Sequence, residues 1–360
     1  MHINFVCNRV WFLLGGIVLV LVLAVGATSF AAEIDGLYTA EVTVAGKSGE
    51  DREAASTRAL AAVVVKVTGS REVLEAPALK EAFERPSAYL QQYRYGTTMQ
   101  PDAAGVMAPV PTLAVTFDQK AVNALLERAS LPIWSRVRPA VLVWLAVEMS
   151  GQRTLLGPED PGGLMEVARQ IADERGVPLI VPLLDLEDRA NLNVTDVWGG
   201  FASFIDRASA RYGPEAVLVG RVAASASGTF SGRWRLRIDG APIVWESTGV
   251  STAAVVSEGI QGAADRLGLR FANAGGAPSR VHLQVRNIET LEDYARTSSY
   301  LEALDVVEEL AVTAAKAATV SYELRVRGGR TALAQVIGLG RTLVQVPSDA
   351  TLSTYTLNAR

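Results

Sequence analysis

Residues 140–147 read AVLVWLAV, eight apolar side chains in succession. A strand with one face in water alternates apolar and polar residues, and an amphipathic helix leaves a polar stripe. An unbroken run of this length belongs to a strand covered on both faces. The residues that follow keep that frame. Asp160-Pro161-Gly162-Gly163 opens a helix over LMEVARQIADERG that stops at Gly176, and residues 177–184 are again apolar and framed by prolines. Strand, helix, strand in that order predicts a crossover with at least one parallel pair.

Residues 196–249 hold three of the six tryptophans. They read as a loop, a helix over residues 201–212 ended by Gly213-Pro214, and an antiparallel meander over residues 216–223, 232–238 and 242–246. A helix over residues 251–267 closes this middle α/β unit, which is assigned residues 138–272 with a mixed sheet.

The flanks carry two smaller units. Before the junction IWSRVRP, residues 32–137 give a strand, a helix ending at Gly69, a short helix, two strands and a helix behind Asp118. That is a βααββα order. After a Gly- and Ala-rich linker at 273–279, residues 280–347 read βαββαβ, the order of a ferredoxin-like unit. Residues 348–360 read as a loose tail. The fold class expected is therefore α+β.

The first residues differ from the rest. Arg9 precedes an uninterrupted apolar run over 10–25, and Ser29 and Ala31 stand at −3 and −1 of a cleavage point before Ala32. This is the pattern of a secretory signal over 1–31. An uncleaved anchor over 10–32 is the alternative, and only then is contact with the inner membrane expected. Either way a periplasmic, bacterial-envelope location is expected. Cys7, the single cysteine, lies ahead of the apolar core and is not placed as a lipoprotein cysteine. Past the signal, the only histidine is His282, in the strand-like VHLQVRNI. A Cys/His zinc site and a cysteine nucleophile are thereby excluded, and no metal or cofactor is expected. A formal charge of −4 gives no footprint for nucleic acid.

Candidate binding residues are few. Asp196 and Trp198 precede Gly199-Gly200, a motif that serves either a partner anchor or a helix entry with Trp198 plugging the core. Arg207 and Arg211, four apart on a helix, share a face suited to an acidic partner. Arg233, Arg235 and Arg237 alternate with Trp234, Leu236 and Ile238, giving a strand with a basic outer face. Arg325 and Arg327 form a similar stripe in the last unit. Such stripes also guard sheet edges. Carboxylate-only chemistry stays open, with Asp185, Asp188 or Asp196 as its acids.

The segments TRALAAVVVKVTGSREVL, DVWGGFASFIDRASARYGPEAVLVGRV with RWRL, and NIETLEDYARTSSYLEALDVVEEL give the chain its resemblance to domain-of-unknown-function family 2066 of exported envelope proteins. The resemblance implies an envelope location and no established activity. The function expected is a non-enzymatic protein-interaction module in the periplasm with an envelope protein as partner. A small-ligand binder and a carboxylate-dependent hydrolase are the alternatives.

Overall fold

The computed structural model describes residues 32–101, 107–224, 228–272, 278–340, 342–346 and 353–358. The signal or anchor expected over the first 31 residues lies outside them, as does most of the linker. The N-terminal unit begins with β1 (Ala32–Glu33), β2 (Thr39–Thr43) and α1 (Gly49–Thr68). Ser48 caps α1, its Oγ accepting from Asp51 N at 3.0 Å, and Gly69 ends it in the left-handed region. A short α2 (Lys80–Glu84) leads to β3 (Leu90–Pro101), β4 (Met107–Phe117) and α3 (Gln119–Arg128). Asp118 caps α3 as its position suggests, accepting from Ala121 N at 2.7 Å. The sheet order is β2-β4-β3, and α1 buries Ala59, Leu60, Val63 and Val67 against Leu113, Val115 and Phe117.

The middle unit contains β5 (Val137–Arg138), which pairs with β1, then β6 (Val141–Met149), β7 (Gln152–Leu156), α4 (Leu164–Arg175) and β8 (Leu179–Ile180). Next come α5 (Leu186–Asn191), α6 (Val194–Gly199), α7 (Ala202–Ala210), β9 (Ala216–Ala224), β10 (Phe230–Arg237), β11 (Ile243–Gly249) and α8 (Thr252–Phe271). The sheet runs β11-β10-β9-β6-β7, with β8 also on β6. Both β8 and β9 are parallel to β6, and the meander strands and β7 are antiparallel to their neighbours. One face packs Val143, Leu145, Leu218, Trp234 and Leu236 under α4 and α8. The other packs Leu142, Trp144, Val217 and Val219 under α6 and α7. Two covering layers are why residues 141–147 are all buried and read as one apolar run.

The C-terminal unit comprises β12 (Ser279–Arg286), α9 (Leu291–Ala303), β13 (Val307–Lys316), β14 (Thr319–Val326), α10 (Gly329–Leu339), β15 (Leu343–Val346) and β16 (Ser353–Leu357). Its βαββαβ order is as expected, with one addition. The segment expected as a loose tail contains β16, which lies between β12 and β15 in the sheet β13-β14-β12-β16-β15. It runs parallel to β12 and antiparallel to β15. Tyr355 and Leu357 are buried in the core. Burying two such side chains is worth about 1.5–3 kcal/mol each, enough to hold a terminal segment in place.

The units meet through buried polar contacts. Arg138 is wholly buried over the Trp134 ring. It donates to Ser135 O, Arg175 O, Gly176 O and Lys66 O at 2.8–3.1 Å. It thus caps the ends of α1 and α4 together, where the helix dipoles favour a cation. Arg175 donates to Asp265 and to Gly69 O. A Cβ on Gly69 would lie 2.6 Å from Gly268 Cα, so α1 and α8 touch backbone to backbone there. The N- and C-terminal units are joined by Arg136–Asp305 at 3.3 Å and Arg327–Glu127 at 3.1 Å.

Candidate functional site

The outer face of the middle sheet gathers arginines from three strands around α6. In register, Arg221 of β9 sits opposite Arg233 of β10, and Glu148 of β6 opposite Arg153 of β7. Arg153 stacks 4.3 Å from the Trp198 ring centroid and bonds Glu148 at 2.7 Å. Arg233 pairs with Glu246 and Arg237 with Asp206. The remaining two have no carboxylate among the described residues. Arg221 donates to Trp198 O, and Arg235 donates to Gly200 O at 3.0 Å. Both therefore sit at the carbonyl end of α6, which is the negative end of a helix. Burial lowers the Arg221 pKa first, and the charges of Arg233 and Arg235 lower it further. Five arginines face three carboxylates, so this surface is positive.

Beside it, between α7 and β9–β10, lies a pocket of about 250 Å³. Ile205, Val217 and Val219 contribute its apolar wall, with Ala202, Pro242, Arg235 and the paired Asp206 and Arg237 around it. Phe201 and Phe204, near the start of α7, are exposed. A larger cleft of about 730 Å³ separates the N- and C-terminal units and is lined by Tyr38, Lys120, Arg136, Asp305 and Arg327. There Tyr38 is pushed up to about 12 by burial, against the hydrogen bond it gives Asn123 Oδ1. Both arginines of that cleft hold carboxylates. The smaller site has an arginine, Arg235, with no carboxylate among the described residues.

The residues singled out in the sequence are divided by the fold. Trp198 and Arg235 come together at the arginine cluster. Asp196 is buried and structural: its carboxylate accepts from Asn193 N at 3.0 Å in the capping box of α6. Arg211 is not open to a partner, being held bidentately by Asp185 at 2.7 and 3.0 Å and by Asp188 at 3.2 Å. Arg207 lies over Phe204 on the solvent side of α7. Arg325 pairs with Glu308 and Glu309, and Arg327 with Glu127 and Glu308, so that stripe is neutralised within the chain. Sequence reading did not find Arg153 and Arg221. Arg153 stands between Gln152 and Thr154 on short β7, and Arg221 is a lone charge in the apolar run of β9, so neither gives a local signal.

The three acids offered for carboxylate chemistry are occupied as well. The Arg211 hydrogen bonds hold Asp185 down at about 2, and Asp185 also caps α5. Asp188 accepts from Leu184 N at 2.8 Å and from the Tyr212 hydroxyl at 2.6 Å. A general acid at neutral pH needs a raised carboxyl, the opposite of what Asp185 has. His282 is exposed on β12, 3.8 Å from Glu323. No helix among the described residues is long and apolar enough to cross a membrane.

Among known families, Domain of unknown function (DUF8605) matches the chain over residues 31–135. The match covers the N-terminal unit and reaches neither of the others. It also corrects the resemblance to family 2066, which finds no match. The segments carrying that resemblance are a capped helix ending at a left-handed glycine and amphipathic helix–strand runs, patterns common to many unrelated domains. No curated protein matches the chain.

Proposed function

We propose that this chain is an exported, non-enzymatic binding module of the bacterial envelope that works in the periplasm and docks an envelope protein through its middle unit. The observation that carries the reading is the pair Arg221 and Arg235, two guanidinium groups without a carboxylate among the described residues, beside Trp198 and a small apolar pocket. Arginine and tryptophan dominate binding energy at protein interfaces. The envelope location rests on the signal-like pattern ahead of Ala32, with membrane contact confined to the case in which residues 10–32 are retained.

Crosslinking in intact cells with a C-terminally tagged copy tests the reading, alongside fractionation and N-terminal sequencing of the recovered protein. An envelope protein crosslinked to the native chain and lost in both Trp198→Ala and Arg235→Gln is the expected result. Equal crosslinking in both variants, or recovery from the cytoplasm with Met1 in place, overturns it.

A further inference from the structure

We propose that the arginine surface of the middle sheet recognises an acidic peptide segment and seats one apolar side chain of it in the pocket between α7 and β10. The inference rests on the docking reading of this face and gives the partner its chemistry. Three observations select that occupant over a general anion.

The first is charge. Arg221 and Arg235 each spend one donor on a carbonyl of the α6 end. A guanidinium has five N–H donors, so each retains enough for a two-pronged bond to a carboxylate. The three nearby carboxylates are already held by Arg153, Arg233 and Arg237. Incoming acids meet an unmatched positive surface.

The second is size. Pockets that enclose a drug-sized ligand run from about 300 to 1,000 Å³. This one, at about 250 Å³, holds a single side chain. The third is lining. Ile205, Val217 and Val219 sit in the core cluster under α7, and their remaining exposed surface faces the pocket. Arg235 stands at its rim, so an apolar side chain inside would put its neighbouring residues beside the guanidinium. A nucleic acid or a bare anion would use the arginines and leave the apolar wall empty.

The test is titration calorimetry of the full chain with an acetylated peptide of sequence Asp-Asp-Phe-Asp-Asp. Two control peptides replace Phe by Ser, or every Asp by Asn. The parent peptide is expected to bind, and both controls to bind about tenfold more weakly or worse. Arg235→Gln and Arg221→Gln are expected to weaken the parent peptide by about tenfold each. Arg235→Lys, which keeps the charge, should recover part of the loss. Ala202→Trp, on the exposed side of α7, fills the pocket while leaving every arginine in the sequence and should abolish the preference for Phe over Ser. Circular dichroism of each variant separates lost binding from lost fold.

Equal affinity for the Phe and Ser peptides overturns the proposal, as does unchanged binding in Arg235→Gln or no binding at all. Tighter binding of a single-stranded DNA oligomer or of anionic lipid vesicles also overturns it. A crosslinked envelope partner without peptide binding sinks this inference and leaves the docking reading standing. Peptide binding without any partner does the reverse.

Discussion

Arg138 offers the sharpest test of how the units are joined. Its guanidinium is wholly buried, and its four shortest bonds, 2.8–3.1 Å, all go to backbone carbonyls. A fifth contact, to Trp134 O at 3.5 Å, is too long to count. Arg138→Met keeps the bulk over Trp134 and leaves four carbonyls without that donor. An orphaned buried carbonyl costs about 1–3 kcal/mol, so the loss is about 4–12 kcal/mol. Against it stands the relief of burying a charge. Desolvation, helped by nearby Arg175, lowers Arg138 from 12.5 to about 9. That drop corresponds to about 5 kcal/mol. The difference centres near 3 kcal/mol of destabilisation, within the range seen when one partner of a buried charged contact is removed. In a chain of this size it lowers the midpoint by roughly 4–5 °C. Urea unfolding followed by circular dichroism, native chain against Arg138→Met, gives the number. A loss below about 1 kcal/mol, or a gain, would show that desolvation outweighs the helix-end bonds and would refute the argument.

Other outcomes follow from the same geometry. Gly268→Ala puts a Cβ 2.6 Å from the carbonyl carbon of Gly69, and backbone cannot step aside. We expect about 1–3 kcal/mol of destabilisation and faster proteolysis between the N-terminal and middle units; unchanged stability and cleavage would refute this contact. Truncation after Val346 removes β16, and the loss of Tyr355 and Leu357 alone costs about 3–6 kcal/mol. Hydrogen exchange should then show β15 and the amides of β12 that face β16 unprotected, while those facing β14 stay protected; retained protection of β15 would mean the strand is dispensable. The pH profile has two limbs. Asp185, held at about 2 by Arg211, stabilises the fold above its unfolded value of 3.8 and loses that contribution as pH falls through 2. Asp185→Asn should flatten the acid limb in a thermal scan across pH. Tyr38 and Tyr300, both raised to about 12 by burial, favour the native state below pH 10 and cease to as pH rises to 12. Arg138 acts oppositely, since its lowered value relieves the fold as pH rises from 9 toward 12.5, so Arg138→Met should steepen the alkaline loss.

Much of the fold was legible because local chemistry dictates it. The run at 140–147 announced a strand covered on both faces, and β6 has that environment. Gly69 and Asp118 act as expected because a side-chain oxygen or a left-handed glycine satisfies groups that any helix end leaves open. Short elements escaped. Each six-residue helix, α5 and α6, is under two turns and shows no periodicity, so what forms it is its capping aspartate or asparagine. β16 also escaped, although STYTL alternates, because Pro347, Ser348 and Asp349 before it are turn-forming residues.

The site was less legible, and the two arginine stripes show why. Arg235 on β10 and Arg327, just past the end of β14, each follow a buried apolar residue, and no neighbouring residue distinguishes them. Their charges are decided by distant segments. Arg327 meets Glu127 from the N-terminal unit and Glu308 from the adjoining strand, and its positive charge is spent. Arg235 meets Gly200 O, which bears only a partial charge at the end of α6, and most of its own charge survives. Whether a basic stripe is a surface or a seam therefore depends on what the fold lays across it. Here α6 brings a carbonyl end where α3 brings a carboxylate, and the middle unit keeps the charge that the C-terminal unit loses.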